Sequence, residues 1–382
     1  MWARFLSFSL VATAFFIVYQ EAIKVGTFTL EELKIENLTE KQPILILHWN
    51  KAYDKYVFLN EDLEQCPSLC TVTTDRSRAL EADVITFHGM HFMMKHKSKK
   101  LTDLRKASNA TFVFHVREPP TLTKNLGNWS YDFFDATMTY RFDSTIFNAL
   151  YEIVRKNVIA PREMSGRWIK KPDLIKADLQ SFKHKTKLAS WLVSKCVTPG
   201  KREIFVNELQ KWMRVDTFGK CGQRISPRKD SDSNVEVYRK LLRPYFFYLS
   251  FENTRCKNYI SEKFYHVLAS GAAIPVVFGP SKKNYEAVAP PKSFIHVSDF
   301  KNAKALAKYL NQLSSNLTSY AEYFWWNEFY EVKRTELVCS TCEKLSRIRK
   351  SPTKHRIKDF NGFWVNEAEC NSPKTSPWNL QV

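Results

Sequence analysis

Short, uninterrupted apolar runs, each closed by polar or turn residues, recur along the chain after residue 43. They are 44–47 (ILIL), 84–87 (VITF) and 112–116 (FVFHV). Runs of four or five apolar residues without alternation predict strands buried on both faces, as in parallel sheets. Intervals of roughly 25 to 40 residues leave room for the crossover helices that parallel pairing needs. The pattern resumes after Lys185. Strands are expected at 188–194 and 215–218, with a helix over 203–213 carrying Ile204, Leu209 and Trp212 between them. A polar loop over 220–233 follows, then a strand at 245–251 stopped by Glu252 and Asn253. Ile260, Phe264, Val267 and Leu268 recur at i, i+4, i+7 and i+8, predicting an amphipathic helix closed by Gly271 in the left-handed capping position. A strand at 274–278 and a helix over 301–313, with Leu306, Leu310 and Leu313 on one face, complete the unit. This is an α/β chain of two units whose functional edges lie at the carboxyl ends of the strands. From Cys339 onward the sequence is basic, Pro-bearing and poorly periodic, and reads as a disulfide-tied tail.

With 382 residues, 44% of them apolar and only 10 Gly, the chain buries a core and is neither collagenous nor disordered in bulk. Its 58 Lys and Arg against 39 Asp and Glu give +19, which suits nucleic acid, an anionic membrane or a phosphorylated ligand. The N-terminus narrows that choice. Residues 5–19 (FLSFSLVATAFFIVY) carry no charge. At about 1.5 Å per residue this run covers roughly 22 Å, short for a span unless Ala22 and Ile23 extend it, and a cleaved signal peptide is the competing reading. Either exports the body into the secretory lumen, so a nucleic-acid partner is not expected. Four Asn-X-Ser/Thr acceptors, at Asn37, Asn109, Asn128 and Asn316, agree with export, as does the even count of eight Cys. Cys66 and Cys70 with Cys339 and Cys342 spell either a zinc site or two disulfides; an oxidising lumen favours disulfides, clipping the two ends of the body together. Asp230-Ser-Asp232 has the look of a metal-binding triplet, but its Ser-, Arg- and Lys-rich setting favours a solvated turn.

The densest chemistry lies over 245–280. In a strand–helix–strand unit the loop after the first strand and the first helical turn face the ligand crevice. Asn253, Tyr259, Glu262 and Lys263 fall there. Singly, each has a plain structural role: Asn253 as a cap, Tyr259 as a staple, Glu262 against the helix dipole and Lys263 as surface charge. Together at one strand end they point to a nucleotide site, where backbone N–H groups favour phosphate.

The run F-E-N-T-x-C-x-N-Y-I-S-E-K, followed by G-A-A-I-P-V-V-F-G-P, Asn284-Tyr285 and F-I-H-V at 294–297, resembles the alpha-1,3-fucosyltransferase motif of glycosyltransferase family 10. Further similar segments are 185–196, 140–144 and 324–326, so the resemblance covers about residues 43–342. It implies a GT-B fold: two Rossmann-like domains facing each other across a cleft, with GDP-fucose on the second and a glycan acceptor, on glycoprotein or glycolipid, between them. It also implies a single-pass type II Golgi membrane enzyme with a lumenal catalytic domain. The corresponding layout is a cytoplasmic tail at 1–4, an anchor at 5–23, a stem at 24–42, an acceptor-side domain at 43–175, a donor domain at 176–338 and the tail at 339–382. No metal cofactor is implied for holding the diphosphate; stimulation by Mn or Mg is left open.

Carried over by position, Glu262 resembles the family's ribose-binding carboxylate, Lys263 its diphosphate-binding lysine, Asn253 and Tyr259 its donor-site residues, and Arg202 a second phosphate-binding cation. Fixed cations compensate the charge of departing GDP. Inverting transfer also needs a base for the acceptor hydroxyl. Glu118, at the end of the 112–116 strand, resembles the family's catalytic Glu, although Arg117 and Pro119 replace the usual hydrophobic residue and Ser. Arg117 is expected to point away, because strand neighbours face opposite sides. Asp143 is the competing base; the family's second acid there is replaced by Thr145. Cys221, Cys256 and the tail resemble the branch that fucosylates the N-glycan core, with an outer antenna as the alternative acceptor. The rival reading is a lumenal glycan-binding protein of the same fold without turnover, against which the intact motif argues.

Overall fold

Each uninterrupted apolar run becomes a parallel strand covered on both faces. The computed structural model describes residues 43–51, 58–64, 66, 69–90, 99–123, 133–156, 164–165, 167–169, 179–223, 234–335, 337–349 and 357–371. Residues 1–42, with the expected anchor, stem and Asn37, lie outside these, as do Asn128 and the Asp230-Ser-Asp232 triplet. Among the described residues no helix is long and apolar enough to cross a membrane.

The first unit comprises β1 (Ile44–His48), β2 (Cys70–Thr73), β3 (Val84–His88), α1 (Lys99–Ala107), β4 (Thr111–Val116), β5 (Ala136–Thr139) and β6 (Ile146–Phe147). Its six strands pair in the order β2-β1-β3-β4-β5-β6, all parallel. Three short strands follow: β7 (Tyr151–Arg155), β8 (Met164–Ser165) and β9 (Trp168–Ile169). The second unit comprises β10 (Lys187–Leu192), α2 (Arg202–Gln210), β11 (Val215–Phe218), α3 (Asn234–Leu242), β12 (Tyr245–Phe251), α4 (Glu262–Ser270), β13 (Ile274–Phe278), α5 (Lys282–Val288) and β14 (Ile295–His296). Its five strands run parallel in the order β11-β10-β12-β13-β14. The chain closes with α6 (Ala303–Ser314), α7 (Leu317–Ala321), β15 (Tyr330–Arg334) and α8 (Leu337–Arg349). β15 returns to pair antiparallel with β7.

Alternation along each strand divides the core. On β4, Phe112, Phe114 and Val116 join one cluster with Phe87 and Trp364, while Val113 joins another with Ile46 and Val84. On the second sheet Phe247, Leu249 and Phe251 pack under α2 and α6, and Tyr248 turns to the opposite face with Val267. The amphipathic helix expected around 260–268 starts at Glu262, because the Ser261 side chain caps it by accepting from the Lys263 N–H. It ends as expected at Gly271, whose φ of 60° is the left-handed conformation that glycine adopts without strain.

The eight cysteines form four disulfides: Cys66–Cys339, Cys70–Cys342, Cys196–Cys221 and Cys256–Cys370. The first two clip the beginning of the body to α8. The tail corrects the sequence expectation. It is not irregular throughout: α8 spans 13 residues, and residues 360–371 pack against the first sheet and the loop after β12. There Trp364 is fully buried against Phe114 and donates its indole N–H to Thr123 Oγ1 at 3.0 Å. Burying such a ring is worth about 2–3 kcal/mol.

Candidate active site

In the second sheet the strand order reverses at β10, so the crevice between β10 and β12 opens at their carboxyl ends. β12 delivers Glu252 and Asn253 to that edge. Glu252 is fully buried and accepts from the Ser261 N–H and hydroxyl, each at 2.8 Å. Burial pushes its carboxyl pKa up, while Lys263, 3.7 Å away, pulls the other way. The sequence reading took Glu252 only as a strand stop; its role is to hold the first turn of α4 in place.

That turn carries the expected pair. Lys263 Nζ lies 2.9 Å from Ser261 Oγ and 3.0 Å from Glu262 Oε1. Burial lowers its pKa, but Glu262 and Glu252 outweigh burial and the net shift is upward, so the ammonium stays charged. Burial raises the Glu262 carboxyl, Lys263 outweighs that, and the net shift is downward. The Glu262 side chain remains 43% exposed, open to a ligand.

Arg202 opens α2 with its side chain buried beneath the same edge. Nη1 donates to the Phe251 carbonyl at 2.6 Å, and Nε has no partner among the described residues. Burial lowers its pKa, and Glu252 partly restores it. The loop before α2 presses against β12: Gly200 N–H donates to the Asn253 carbonyl at 2.8 Å, and a Cβ at Gly200 would meet that oxygen at 3.0 Å. Asn253 is 8% exposed and its Oδ1 also has no partner among the described residues. Buried polar atoms left unpaired in a native fold mark places where something else completes the hydrogen bonding.

Tyr259 does something the sequence reading did not anticipate. Its hydroxyl donates across to Glu118 Oε2 at 3.0 Å, joining the second unit to the end of β4. Its ring packs edge-on against Tyr140 with centroids 5.1 Å apart. Burial and the adjacent Glu118 hold its pKa well above the phenolic value, so the hydroxyl keeps its proton and is the donor. Arg117 turns away as expected, its Nη2 and Nε donating to Asn148 Oδ1 at 3.1 and 3.3 Å. Asp143 is gripped instead. Arg141 Nε and Nη2 reach its two oxygens at 2.8 and 2.6 Å, and Lys257 adds a contact at 3.4 Å. The Arg141 hydrogen bond, opposed by partial burial, draws its pKa down. Among the other sequence candidates, Asn109 and Asn316 are exposed, and Asn316 Oδ1 caps α7 by accepting from the Ser319 N–H at 3.0 Å. Among the described residues no three His, Cys, Asp or Glu converge to hold a metal ion, and the cysteines once read as a zinc alternative are disulfide-bonded.

Residues 41–151 match the family described as fucosyltransferase, N-terminal, and residues 182–362 match glycosyltransferase family 10 (fucosyltransferase) C-term. The chain is similar to "Alpha-(1,3)-fucosyltransferase C" of Drosophila melanogaster, 33% identical over 275 residues, covering 70% of this chain and 62% of that protein. To "Glycoprotein 3-alpha-L-fucosyltransferase A" of the same organism it is 32% identical over 332 residues, covering 85% and 59%. The chain thus spans about three fifths of the length of these curated relatives. A crystal structure of an alpha1,3-fucosyltransferase with GDP superposes with a TM-score of 0.52 at 18% identity, covering 84% of this chain and 94% of that one, a likeness of GT-B fold. Matched by both halves of one family over most of its length, and folded as that family folds, the chain belongs to glycosyltransferase family 10, the fucosyltransferases.

Proposed function

We propose that this protein moves L-fucose from GDP-fucose to the 3-hydroxyl of GlcNAc on an N-glycan, core or antenna, with inversion to an alpha-1,3 linkage. The observation that carries the reading is the Tyr259–Glu118 hydrogen bond, which sets a carboxylate of the first sheet beside the cation-bearing edge of the second. Arg202 and Lys263 hold the diphosphate, Glu262 the ribose, and Asn253 and Tyr259 orient the donor. Glu118 takes the acceptor proton as the hydroxyl oxygen bonds to the sugar carbon and the carbon–phosphate oxygen bond breaks, GDP leaving with the electron pair. The fixed cations meet that departing charge without reorganising. Asp143 is the weaker base, since protonation would have to displace Arg141.

Two cations at the phosphates leave no need for a divalent ion, so we propose transfer that survives EDTA; the rate with added Mn or Mg measures any stimulation. Anchoring by residues 5–23 in the Golgi membrane with a lumenal body belongs to the same reading, and protease protection of sealed microsomes tests it. The decisive assay incubates the purified chain with GDP-fucose and a glycan panel. Alpha-1,3-fucosylated product supports the reading, and no transfer to any acceptor with retained glycan binding defeats it. In the same assay, Lys263→Ala should weaken GDP binding about 10- to 100-fold, the scale of a lost charge-assisted hydrogen bond.

A further inference from the structure

Elsewhere in the molecule two arginines shielded from solvent grip carboxylates, while the buried Arg202 donates to the Phe251 carbonyl. Arg105 binds Asp135 through both Nη atoms, and Arg141, fully buried, binds Asp143 and Glu367. Arg255 does not. It sits two residues beyond Asn253 at the carboxyl end of β12, is 6% exposed, and its Nε and Nη1 are buried with no hydrogen-bond partner among the described residues. Its guanidinium lies over the ring of Phe278, the last residue of β13, with 5.3 Å to the centroid. Burial lowers its pKa. Two guanidinium nitrogens buried and unpaired among the described residues are a costly arrangement, and such donors mark places where something else completes the hydrogen bonding.

The backbone around Arg255 is held with unusual care. Its N–H donates to Asn371 Oδ1 at 2.9 Å, and its carbonyl accepts from the Asn371 N–H at 2.8 Å. The neighbouring Cys256 is tied to Cys370, and Lys257 N–H donates to the Ala368 carbonyl at 2.8 Å. The tail thus clamps the loop that carries this guanidinium, fixing its position before any ligand arrives. In the family run F-E-N-T-x-C, Arg255 occupies the variable place, so the resemblance gives it no role.

We propose that Arg255 is a third cationic contact for the nucleoside diphosphate donor, pre-positioned by the Asn371 clamp. The proposal rests on the nucleotide reading above and deepens it. Its guanidinium meets oxygen acceptors of the diphosphate, at the edge where Arg202 Nε and Asn253 Oδ1 also have no partner among the described residues.

The test is calorimetric titration of the full chain with GDP, GMP and guanosine, for wild type, Arg255→Gln, Arg255→Lys and Asn371→Ala, alongside the melting temperature of each free protein. Expected for Arg255→Gln is a GDP affinity at least about tenfold lower, with guanosine affinity unchanged and a melting temperature no lower than wild type, because a buried charge has been removed. Arg255→Lys should recover part of the loss, and Asn371→Ala should weaken GDP in the same direction with the guanidinium intact. Guanosine weakened as much as GDP would overturn the diphosphate assignment. Affinities for GDP within twofold of wild type in Arg255→Gln would overturn the proposal; if that variant fails to fold, unchanged affinities in Arg255→Lys and Asn371→Ala do so. Wild type that binds no GDP at all would sink the nucleotide reading itself, a result distinct from a failure at Arg255 alone.

Discussion

Two loops at the carboxyl edge of the first sheet carry nearly the same ingredients and put them to opposite use. The loop after β4 places Arg117 next to Glu118, and the loop after β5 places Arg141 two residues before Asp143. Adjacent residues leaving a strand diverge, so Arg117 swings to Asn148 and leaves Glu118 to a neutral tyrosine hydroxyl. Residues two apart in a tight turn converge, so Arg141 closes on its own loop's carboxylate. Spacing alone thus parts the proposed base Glu118 from its neighbouring guanidinium and ties Asp143 to its own. Arg141 also donates to the Phe363 carbonyl and to Glu367, which makes the second loop part of the C-terminal wrap.

The largest effect that sharpens this contrast is expected from Glu118→Gln, which keeps shape and hydrogen bonding but removes the proton acceptor. Its kcat should fall about 10²- to 10⁴-fold while GDP affinity holds. Next comes Arg141→Ala. Removing a buried guanidinium that serves two carboxylates and a carbonyl should destabilise the fold by about 1–3 kcal/mol, read as a lower midpoint in urea. Because both carboxylates are partly exposed, the loss should stay below that of a fully buried ion pair. Asp143→Asn should leave kcat within about threefold of wild type; a loss as deep as that of Glu118→Gln would exchange the two roles. Smallest is Arg117→Met. It should change kcat by less than about twofold, since its guanidinium points to Asn148, and a displaced pH–rate profile would show instead that it acts on Glu118.

Much of the second unit was legible because its signals are local. The strands at 215–218, 245–251 and 274–278 appear at the expected residues, and α4 differs from expectation only at its capped start. The Cys66 and Cys70 pairing with Cys339 and Cys342 also stands as expected. What escaped the sequence depends on distant partners. β2 and β5 read CTVT and ATMT, too polar to signal a strand until neighbours pair with them. Trp364 and Phe360 lie in a stretch without period, because they pack against β4 and not against their own element. Glu252 looked like a strand stop since its partners, Ser261 and Lys263, lie beyond a loop. Tyr259 was read as a donor-site residue, and only the fold brings its hydroxyl to the proposed base.

The most direct measurement is a crystal structure of the wild-type protein with GDP bound. The account predicts a diphosphate at the carboxyl ends of β10 and β12, within hydrogen-bond distance of Arg202 and Lys263, its leaving oxygen facing Glu118. A nucleotide seated elsewhere, or a diphosphate touching neither cation, would contradict it.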